Sequence, residues 1–208
     1  MKKLLVVGGG GHAKVVIDLA RVSGLWDISG VLDDSPEMLG KEVLGCKVIG
    51  RTDQLQRLSG SGISAIVAIG SNGARERLHA MARDSGADMP ALVHPAATVA
   101  SSARLGPGTV VMAGAVVNAA SIIGEGVIVN TGAVIDHDCR IGDFCHIGPG
   151  VALCGSVSVG IRSLIGVGVS AIPGVSIGRD CILGAGAAVV CDIASGSRAI
   201  GVPARVVQ

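Results

Sequence analysis

The long C-terminal part of the chain carries an apolar residue at every sixth position. The series runs from Val93 to Val189 in one phase, and every member is a large aliphatic residue except Ala171. A second series, from Ala97 to Ile193, follows four positions behind and contains only small or β-branched residues. A period of six fits neither an amphipathic helix nor a simple alternating strand. It is typical of hexapeptide repeats that wind into a parallel β-helix.

Each hexapeptide of such a repeat supplies one short strand and one corner. The aliphatic residue points inward, and the small residue leaves room at the corner. Three strands close a triangular coil of about 18 residues, and coils stack at about 4.8 Å, the spacing of paired strands. One coil cannot bury its own apolar face, so the coils stabilise one another. At three per coil, the seventeen aliphatic positions predict between five and six coils.

The first 90 residues show a different pattern, in which short apolar runs alternate with helical spacing. Strands are predicted at residues 3–7, 28–32, 47–49 and 65–69, and helices at 12–22, 52–58 and 72–84. Asn72 is expected to cap the last helix. This alternation predicts an α/β domain with a small Rossmann-like parallel sheet. We therefore divide the chain into domains at residues 1–90 and 91–208.

A glycine-rich motif, Gly8-x-Gly10-x-x-Ala13, follows the first strand and opens the first helix. Such glycines let a phosphate approach the backbone, and a helix N-terminus attracts its charge. Asp33 or Asp34, after the second strand, stands where a ribose contact is expected. The domain is too short for both halves of a dinucleotide fold, so the motif predicts one nucleotide or nucleotide sugar. A tight turn without a ligand is the alternative.

Composition narrows the class of protein. The 17 basic and 16 acidic residues leave a formal net charge of +1, so no basic surface argues for nucleic acid. No apolar run approaches the roughly 20 residues of a membrane-spanning helix, and the N-terminus does not resemble a signal peptide. We therefore expect a cytoplasmic protein without membrane contact.

Five histidines are candidates for chemistry. His79 is expected on a solvated helix surface, and His94 is assigned a structural role. His137 lies at an outward position of its hexapeptide, and the adjacent Asp138 can hold its ring and favour its cation. From spacing alone, general-base catalysis and a merely exposed histidine are equal alternatives. Cys139 falls on the inward series and is expected to be a core residue rather than a metal ligand.

Short motifs spread over the whole chain resemble one bacterial family. They are Gly8-Gly9-Gly10-Gly11-His12, Leu32-Asp33-Asp34, Ala68-Ile69-Gly70-Ser71-Asn72, His94-Pro95, Asn130-Thr131, Ile135-Asp136-His137-Asp138-Cys139, Phe144-Cys145-His146 and Gly201-Val202-Pro203-Ala204-Arg205. The chain is similar to the left-handed β-helix sugar acetyltransferases, above all those that N-acetylate nucleotide-linked 4-amino-4,6-dideoxysugars. The UDP-bacillosamine pathway type is the nearest, and the sialic-acid O-acetyltransferases are relatives. The left hand rests on this resemblance, since the usual rule for parallel crossovers predicts the opposite.

The resemblance implies a role for each candidate. His137 would be the general base that takes a proton from the sugar C4 amine during attack on acetyl-CoA, and Asp138, where Glu is common, would support it. Asn130 would place the substrate beside His137. The implied nucleotide-sugar contacts are Gly10, Gly11, His12, Asp33, Asp34 and Gly70, and the implied CoA contacts are His146, Gly155, Val167 and Ala185. The resemblance also implies a homotrimer with active sites between subunits, and no metal.

Two alternatives stay open. An O-acetyltransferase of a free sugar such as sialic acid would be indifferent to the nucleotide. A non-catalytic trimeric scaffold that binds nucleotide sugars would have no need of His137 beside Asp138. The sequence leaves open the nucleobase, the stereochemistry of the sugar, and whether the product enters a protein glycan, lipopolysaccharide or capsule.

Overall fold

The computed structural model describes residues 1–58 and 62–207. The chain forms two compact units, Met1–His94 and Pro95–Gln208, so the division falls four residues after the predicted one. Among the described residues, no helix combines the length and the apolar character needed to cross a bilayer.

The N-terminal unit is an α/β domain built on a five-stranded sheet. Its strands are β1 (Lys2–Val7), β2 (Trp26–Leu32), β3 (Glu42–Val43), β4 (Cys46–Gly50) and β5 (Ser64–Val67), and β6 (Leu92–Val93) follows near its end. The sheet order is β3-β4-β2-β1-β5, and all neighbours are parallel except the β3–β4 hairpin. The helices are α1 (Gly11–Val22) and α2 (Asn72–Asp84), with 3-10 helices at Pro36–Met38 and Thr52–Leu58.

Apolar patterning explains how these elements pack. Four consecutive residues of β1, from Leu4 to Val7, are at most 1% exposed, as expected for a central parallel strand covered on both faces. On the face that carries Leu5 and Val7, α2 and the second 3-10 helix pack through Leu78 and Leu55. The carboxyl ends of β1, β2 and β5 therefore lie side by side, which brings the loops after them together.

Two predictions about α2 are wrong. Its N-cap is Ser71, while Asn72 begins the helix and accepts a hydrogen bond from the side chain of Arg75. His79 is 1% exposed, because it lies with Leu78 on the buried face of the helix rather than on its surface. The buried face of α2 includes polar side chains, so hydrophobic periodicity does not reveal it.

The C-terminal unit is a left-handed parallel β-helix whose coils are 18 residues long. Strands of two or three residues form three sheets. The first contains β7 (Thr98–Val99), β10 (Val116–Val117), β13 (Val134–Ile135), β16 (Ala152–Leu153), β19 (Ser170–Ala171) and β22 (Ala188–Val189). The second contains β8 (Arg104–Leu105), β11 (Ile122–Ile123), β14 (Arg140–Ile141), β17 (Ser158–Val159) and β20 (Ser176–Ile177). The third includes β9 (Val110–Val111), β12 (Ile128–Val129), β15 (His146–Ile147), β18 (Leu164–Ile165), β21 (Ile182–Leu183), β23 (Arg198–Ile200) and β24 (Arg205–Val207).

The two predicted inward series form the core of this β-helix. From Val111 to Val189, every aliphatic position of the first series is at most 3% exposed. Polar members of the second series bond across coils: Ser121 Oγ donates to the carbonyl of Asp136 at 2.6 Å and accepts from Cys139 N at 3.1 Å. The buried thiol of Cys139 lies 3.2 Å from a backbone carbonyl oxygen, and burial raises its pKa. Small polar side chains thus satisfy backbone groups at the corners.

Candidate active site

His137 lies on a corner of the β-helix, two residues after β13 ends. Its side chain is 59% exposed, because the neighbouring positions Ile135 and Cys139 are the inward ones. Asp138 adopts a left-handed φ of 60°, and its Oδ2 lies 2.8 Å from His137 Nδ1. With Nδ1–H donating to the carboxylate, the lone pair of a neutral imidazole is on Nε2. The corner therefore carries a basic nitrogen on an exposed side chain.

Two carboxylates favour the protonated form of this imidazole. The hydrogen bond to Asp138 raises the pKa of His137 above its ordinary value of 6.5, and the negative charge of Asp136 raises it further. A raised pKa keeps the ring protonated up to a higher pH than in a free histidine. The neutral form, which alone can accept a proton, is therefore lost as the pH falls through the raised pKa.

The ring of His137 lies directly against the backbone of the next coil. A Cβ atom built on Gly155 would come within 2.6 Å of both Cε1 and Nε2 of His137, closer than real Cβ atoms approach other atoms. The carbonyl of His137 also accepts a hydrogen bond of 2.9 Å from Ser156 N. Glycine at position 155 therefore provides the space that the imidazole occupies. Gly155 was predicted from the sequence only as a CoA contact, and its packing against the imidazole was not predicted.

Asn130 and His146 form a second polar pair on the β-helix. Asn130 Nδ2 and His146 Nε2 lie 3.1 Å apart, so the amide can donate to a neutral imidazole. Asn130 Oδ1 accepts the N–H of Thr131 at 2.8 Å, which sets the orientation of the amide. Asn130 was predicted to lie beside His137. In the structure its amide nitrogen lies at hydrogen-bond distance from the ring of His146.

Val167 and Ala185 lie at the same corner position of successive coils. Both are exposed, Val167 at 53%, and Gly186 N donates to the carbonyl of Val167 at 2.8 Å. The exposed apolar side chain of Val167 suits contact with a pantetheine arm, and the assignment of both residues to CoA stays a prediction.

In the N-terminal unit, the glycine loop opens onto a pocket of about 270 Å³. The predicted substrate contacts that line it are Gly10, Gly11, His12, Asp33 and Gly70. Gly8 has a φ of 106°, and a Cβ there would lie 2.6 Å from the Ile69 side chain, so both conformation and space require glycine. A Cβ on Gly10 or Gly11 would meet no atom within 4 Å. The N-terminus of α1 is thus open to an anion.

The adjacent aspartates after β2 have different surroundings. Asp33 faces the glycine loop, where its Oδ2 accepts the N–H of Gly9 at 2.7 Å. Asp34 instead accepts the N–H and the hydroxyl of Thr52, at 3.0 and 2.9 Å, and so caps the 3-10 helix that begins there. Asp34 does not belong to the residues that line the pocket. Of the two, Asp33 is the residue at the pocket, and the ribose contact stays a prediction for both.

Arg75 supports the pocket and was missed by the sequence analysis. Its side chain is 1% exposed, and its guanidinium donates to the carbonyl oxygens of Ile69 at 3.0 Å and Gly70 at 3.2 Å. It also donates to Asn72 Oδ1 at 2.8 Å. Because Ile69 and Gly70 line the pocket, Arg75 holds one wall in place. An arginine on a polar helix is normally exposed, so the sequence carried no signal for this role.

No metal centre accompanies these residues in the part of the chain that the structure describes. There, no group of three or more histidine, cysteine, aspartate or glutamate side chains could hold a metal ion.

Two family models match the chain. The model described as the PglD N-terminal domain matches residues 3–82, and the bacterial transferase hexapeptide model (six repeats) matches residues 120–155. UDP-N-acetylbacillosamine N-acetyltransferase of Bacillus subtilis is 39% identical over 115 residues, which are 54% of this chain and 52% of that protein. The match thus spans about half the length of that curated relative.

Solved structures match both units together. PerB from Caulobacter crescentus, in complex with CoA and GDP-perosamine, has a TM-score of 0.94 and 47% identity, with 100% of this chain and 98% of that chain covered. The acetyltransferase domain of PglB from Neisseria gonorrhoeae has a TM-score of 0.95 and 43% identity, with 100% of each chain covered. Another structure of that domain contains acetyl coenzyme A. The chain therefore belongs to the family of left-handed β-helix acetyltransferases that contains PerB and the PglB acetyltransferase domain.

Proposed function

We propose that this protein transfers the acetyl group of acetyl-CoA to the C4 amine of a nucleotide-linked 4-amino-4,6-dideoxysugar. The observation that carries the proposal is the exposed imidazole of His137, whose hydrogen bond through Nδ1 to Asp138 leaves Nε2 as the basic nitrogen. The relatives support the choice of substrates. PerB was solved with CoA and GDP-perosamine, and two further structures of that enzyme, with one histidine replaced, hold the same two ligands.

Direct transfer accounts for the chemistry with few groups. The neutral amine attacks the thioester carbonyl, so that a C–N bond forms and the C–S bond breaks as CoA leaves. His137 Nε2 takes the proton that the amine loses, and Asp138 stabilises the imidazolium. The backbone N–H of Gly155 would donate to the oxyanion. No covalent intermediate is needed, and Cys139 is buried away from solvent.

The ligands are assigned to the two units by chemistry. The glycine loop and the N-terminus of α1 would take the diphosphate, with Gly10, Gly11 and His12 in contact and Asp33 at the ribose. On the β-helix, His146 would bond the acetyl group or the pantetheine arm, with the arm along Val167 and Ala185. We further propose a homotrimer that works in the cytoplasm, with each active site shared by two subunits and Asn130 helping to place the sugar.

A substrate panel tests the proposal. Purified protein and acetyl-CoA are mixed with UDP-, dTDP- and GDP-linked 4-amino-4,6-dideoxysugars and with free sialic acid, and CoA release is followed as free thiol. We expect rapid turnover of one nucleotide sugar. Turnover of sialic acid alone would show an O-acetyltransferase instead. No turnover with any acceptor, although CoA binds, would contradict the proposed class of acceptor.

The pH dependence of the rate is expected to have an acid limb governed by His137, with an apparent pKa above 6.5. Asp138→Asn should move this limb to lower pH, because the hydrogen bond that raises the pKa is weakened. It should also lower the plateau, because the ring loses its orienting partner. The measurement is kcat/KM against pH for both proteins. A limb at the same pH in the variant would mean that another group sets it.

Arg75→Lys is expected to raise the KM for the nucleotide sugar by about tenfold, because Nη1 of arginine bonds Ile69 and Gly70 while Nη2 bonds Asn72, and the single nitrogen of lysine cannot take both places. The KM for acetyl-CoA should not change. Arg77→Lys, at an exposed position of the same helix, is the matched control. Steady-state kinetics with each substrate varied in turn gives both constants. A parallel rise of both KM values would indicate a general folding defect. An unchanged KM for the nucleotide sugar would mean that the pocket wall does not need Arg75.

A further inference from the structure

Asn118 and Asp136 occupy the same corner position on successive coils. Asn118 Nδ2 donates to Asp136 Oδ1 at 2.9 Å, and the same oxygen accepts the backbone N–H of His137 at 2.8 Å. These two hydrogen bonds, the one from His137 N–H having the larger effect, hold the pKa of Asp136 below its usual value. The charged carboxylate of Asp136 therefore accepts one hydrogen bond from the preceding coil and one from the backbone of His137.

Further hydrogen bonds join this corner to the preceding and the following coil. Asp138 N donates to the carbonyl of Ala119 at 3.0 Å, which ties the residue after His137 to the preceding coil. Ser156 N donates to the carbonyl of His137 at 2.9 Å from the following coil. With Ser121 Oγ on the carbonyl of Asp136, the backbone on both sides of the histidine is tied to neighbouring coils.

The charges near the ring come from its own corner. Stacked with Asp136 and His137 on the preceding and following coils are Asn118, Ala119, Cys154 and Gly155. Of these four only Cys154 has an ionisable side chain, a free and exposed thiol, and Asn118, Ala119 and Gly155 are neutral. The negative charges that act on His137 are therefore Asp138, bonded to Nδ1, and Asp136, acting through space.

We infer that Asn118 and Asp136 are positioning residues for the base: the amide of Asn118 holds the carboxylate of Asp136 beside His137, and that carboxylate anchors the backbone N–H of His137 and places a negative charge near its ring. This inference rests on the proposed role of His137 and deepens it. Both residues act through His137, so a change at either should alter kcat and its pH dependence and leave the KM for acetyl-CoA unchanged.

Asp136→Asn separates charge from shape, because the amide oxygen can still accept from Asn118 and from His137 N–H. We expect the acid limb of kcat/KM to move to lower pH in this variant. Asn118→Ala keeps the negative charge of Asp136 and removes the hydrogen bond that holds its carboxylate. We expect kcat to fall by up to about 100-fold, the loss typical when a catalytic group is misplaced by about 1 Å. Wild-type kcat in Asn118→Ala would show that Asp136 needs no support from the preceding coil.

Asp143→Asn is the matched control for the charge change. Asp143 Oδ1 also makes a cross-coil hydrogen bond, to Glu125 N at 2.9 Å, but at a different corner of the coil. We expect this variant to keep the wild-type pH profile. Thermal unfolding of all three variants checks that each is folded.

The decisive readout does not require turnover. The imidazole titration of His137 is followed by NMR and assigned by its absence in His137→Asn, so it can be read even if no acceptor is ever found. We expect a lower titration midpoint in Asp136→Asn than in the wild-type protein, and an unchanged midpoint in Asp143→Asn. Equal midpoints in Asp136→Asn and wild type would overturn the role of Asp136.

Discussion

Replacing His137 with asparagine is expected to lower kcat by roughly 10²–10⁴-fold, the range found when a general base is lost. Asparagine keeps a polar side chain at the corner but cannot take the proton that the amine releases. The acid limb of the pH profile should disappear with the imidazole, because no other group in the proposed mechanism titrates there. The measurement is the initial rate of CoA release with the acceptor identified by the panel.

Binding of CoA provides the control for His137→Asn. The CoA contacts assigned to His146, Val167 and Ala185 do not involve the His137 side chain, so the dissociation constant measured by calorimetry should stay within about twofold of the wild-type value. Near-normal turnover in the variant would remove His137 from the role of base. Loss of both turnover and CoA binding would point to a disrupted β-helix instead.

Gly155→Ala is expected to lower kcat by about 100-fold, although it adds only one methyl group. The new Cβ would lie 2.6 Å from Cε1 and Nε2 of His137, so the ring must leave its place. The φ of Gly155 lies outside the left-handed region, so alanine should not strain the backbone, and its N–H is kept. The effect should therefore come from displacement of the base alone.

A double variant tests this reasoning. If Gly155→Ala acts by displacing His137, then adding it to His137→Asn should lower kcat little further, since the group it displaces is already gone. Gly73→Ala, where a Cβ would meet no atom within 4 Å, is the matched control and should have wild-type kinetics. Fully additive losses in the double variant would mean that Gly155 acts on the thioester or on the fold rather than on the base.

In the β-helix, the repeat carries information about the site as well as about the fold. The period of six predicted the inward series, and the structure confirms it in the nearly complete burial of residues such as Ile135 and Leu153. With a coil of 18 residues, residues 18 apart must stack. Applied to the sequence, this rule stacks Asn118 with Asp136 and His137 with Gly155, although it does not say which atoms meet.

In the α/β unit, the sequence predicted the elements but not the surroundings of several side chains. Its alternation of strands and helices and its glycine loop were predicted from local pattern. The burial of His79 and Arg75 was not, because both lie on a helix face that is polar in sequence. Nor could the sequence show that Asp33 and Asp34 have different partners. The side chain of Asp33 accepts a hydrogen bond from the glycine loop, and that of Asp34 accepts one from Thr52.

Periodicity and neighbours in the chain were enough to predict the division into an α/β unit and a β-helix, the inward positions of the coils, and the outward position of His137 beside Asp138. The role of His137 as base came from the resemblance to a family and stays a prediction. These features depend on short-range order, which the sequence displays directly. Three contacts emerge only from tertiary packing: the His137 ring lies on Gly155, Asn118 holds Asp136, and Arg75 supports the pocket. Such contacts depend on side-chain direction and on distances between atoms of different segments, which packing sets and local sequence does not.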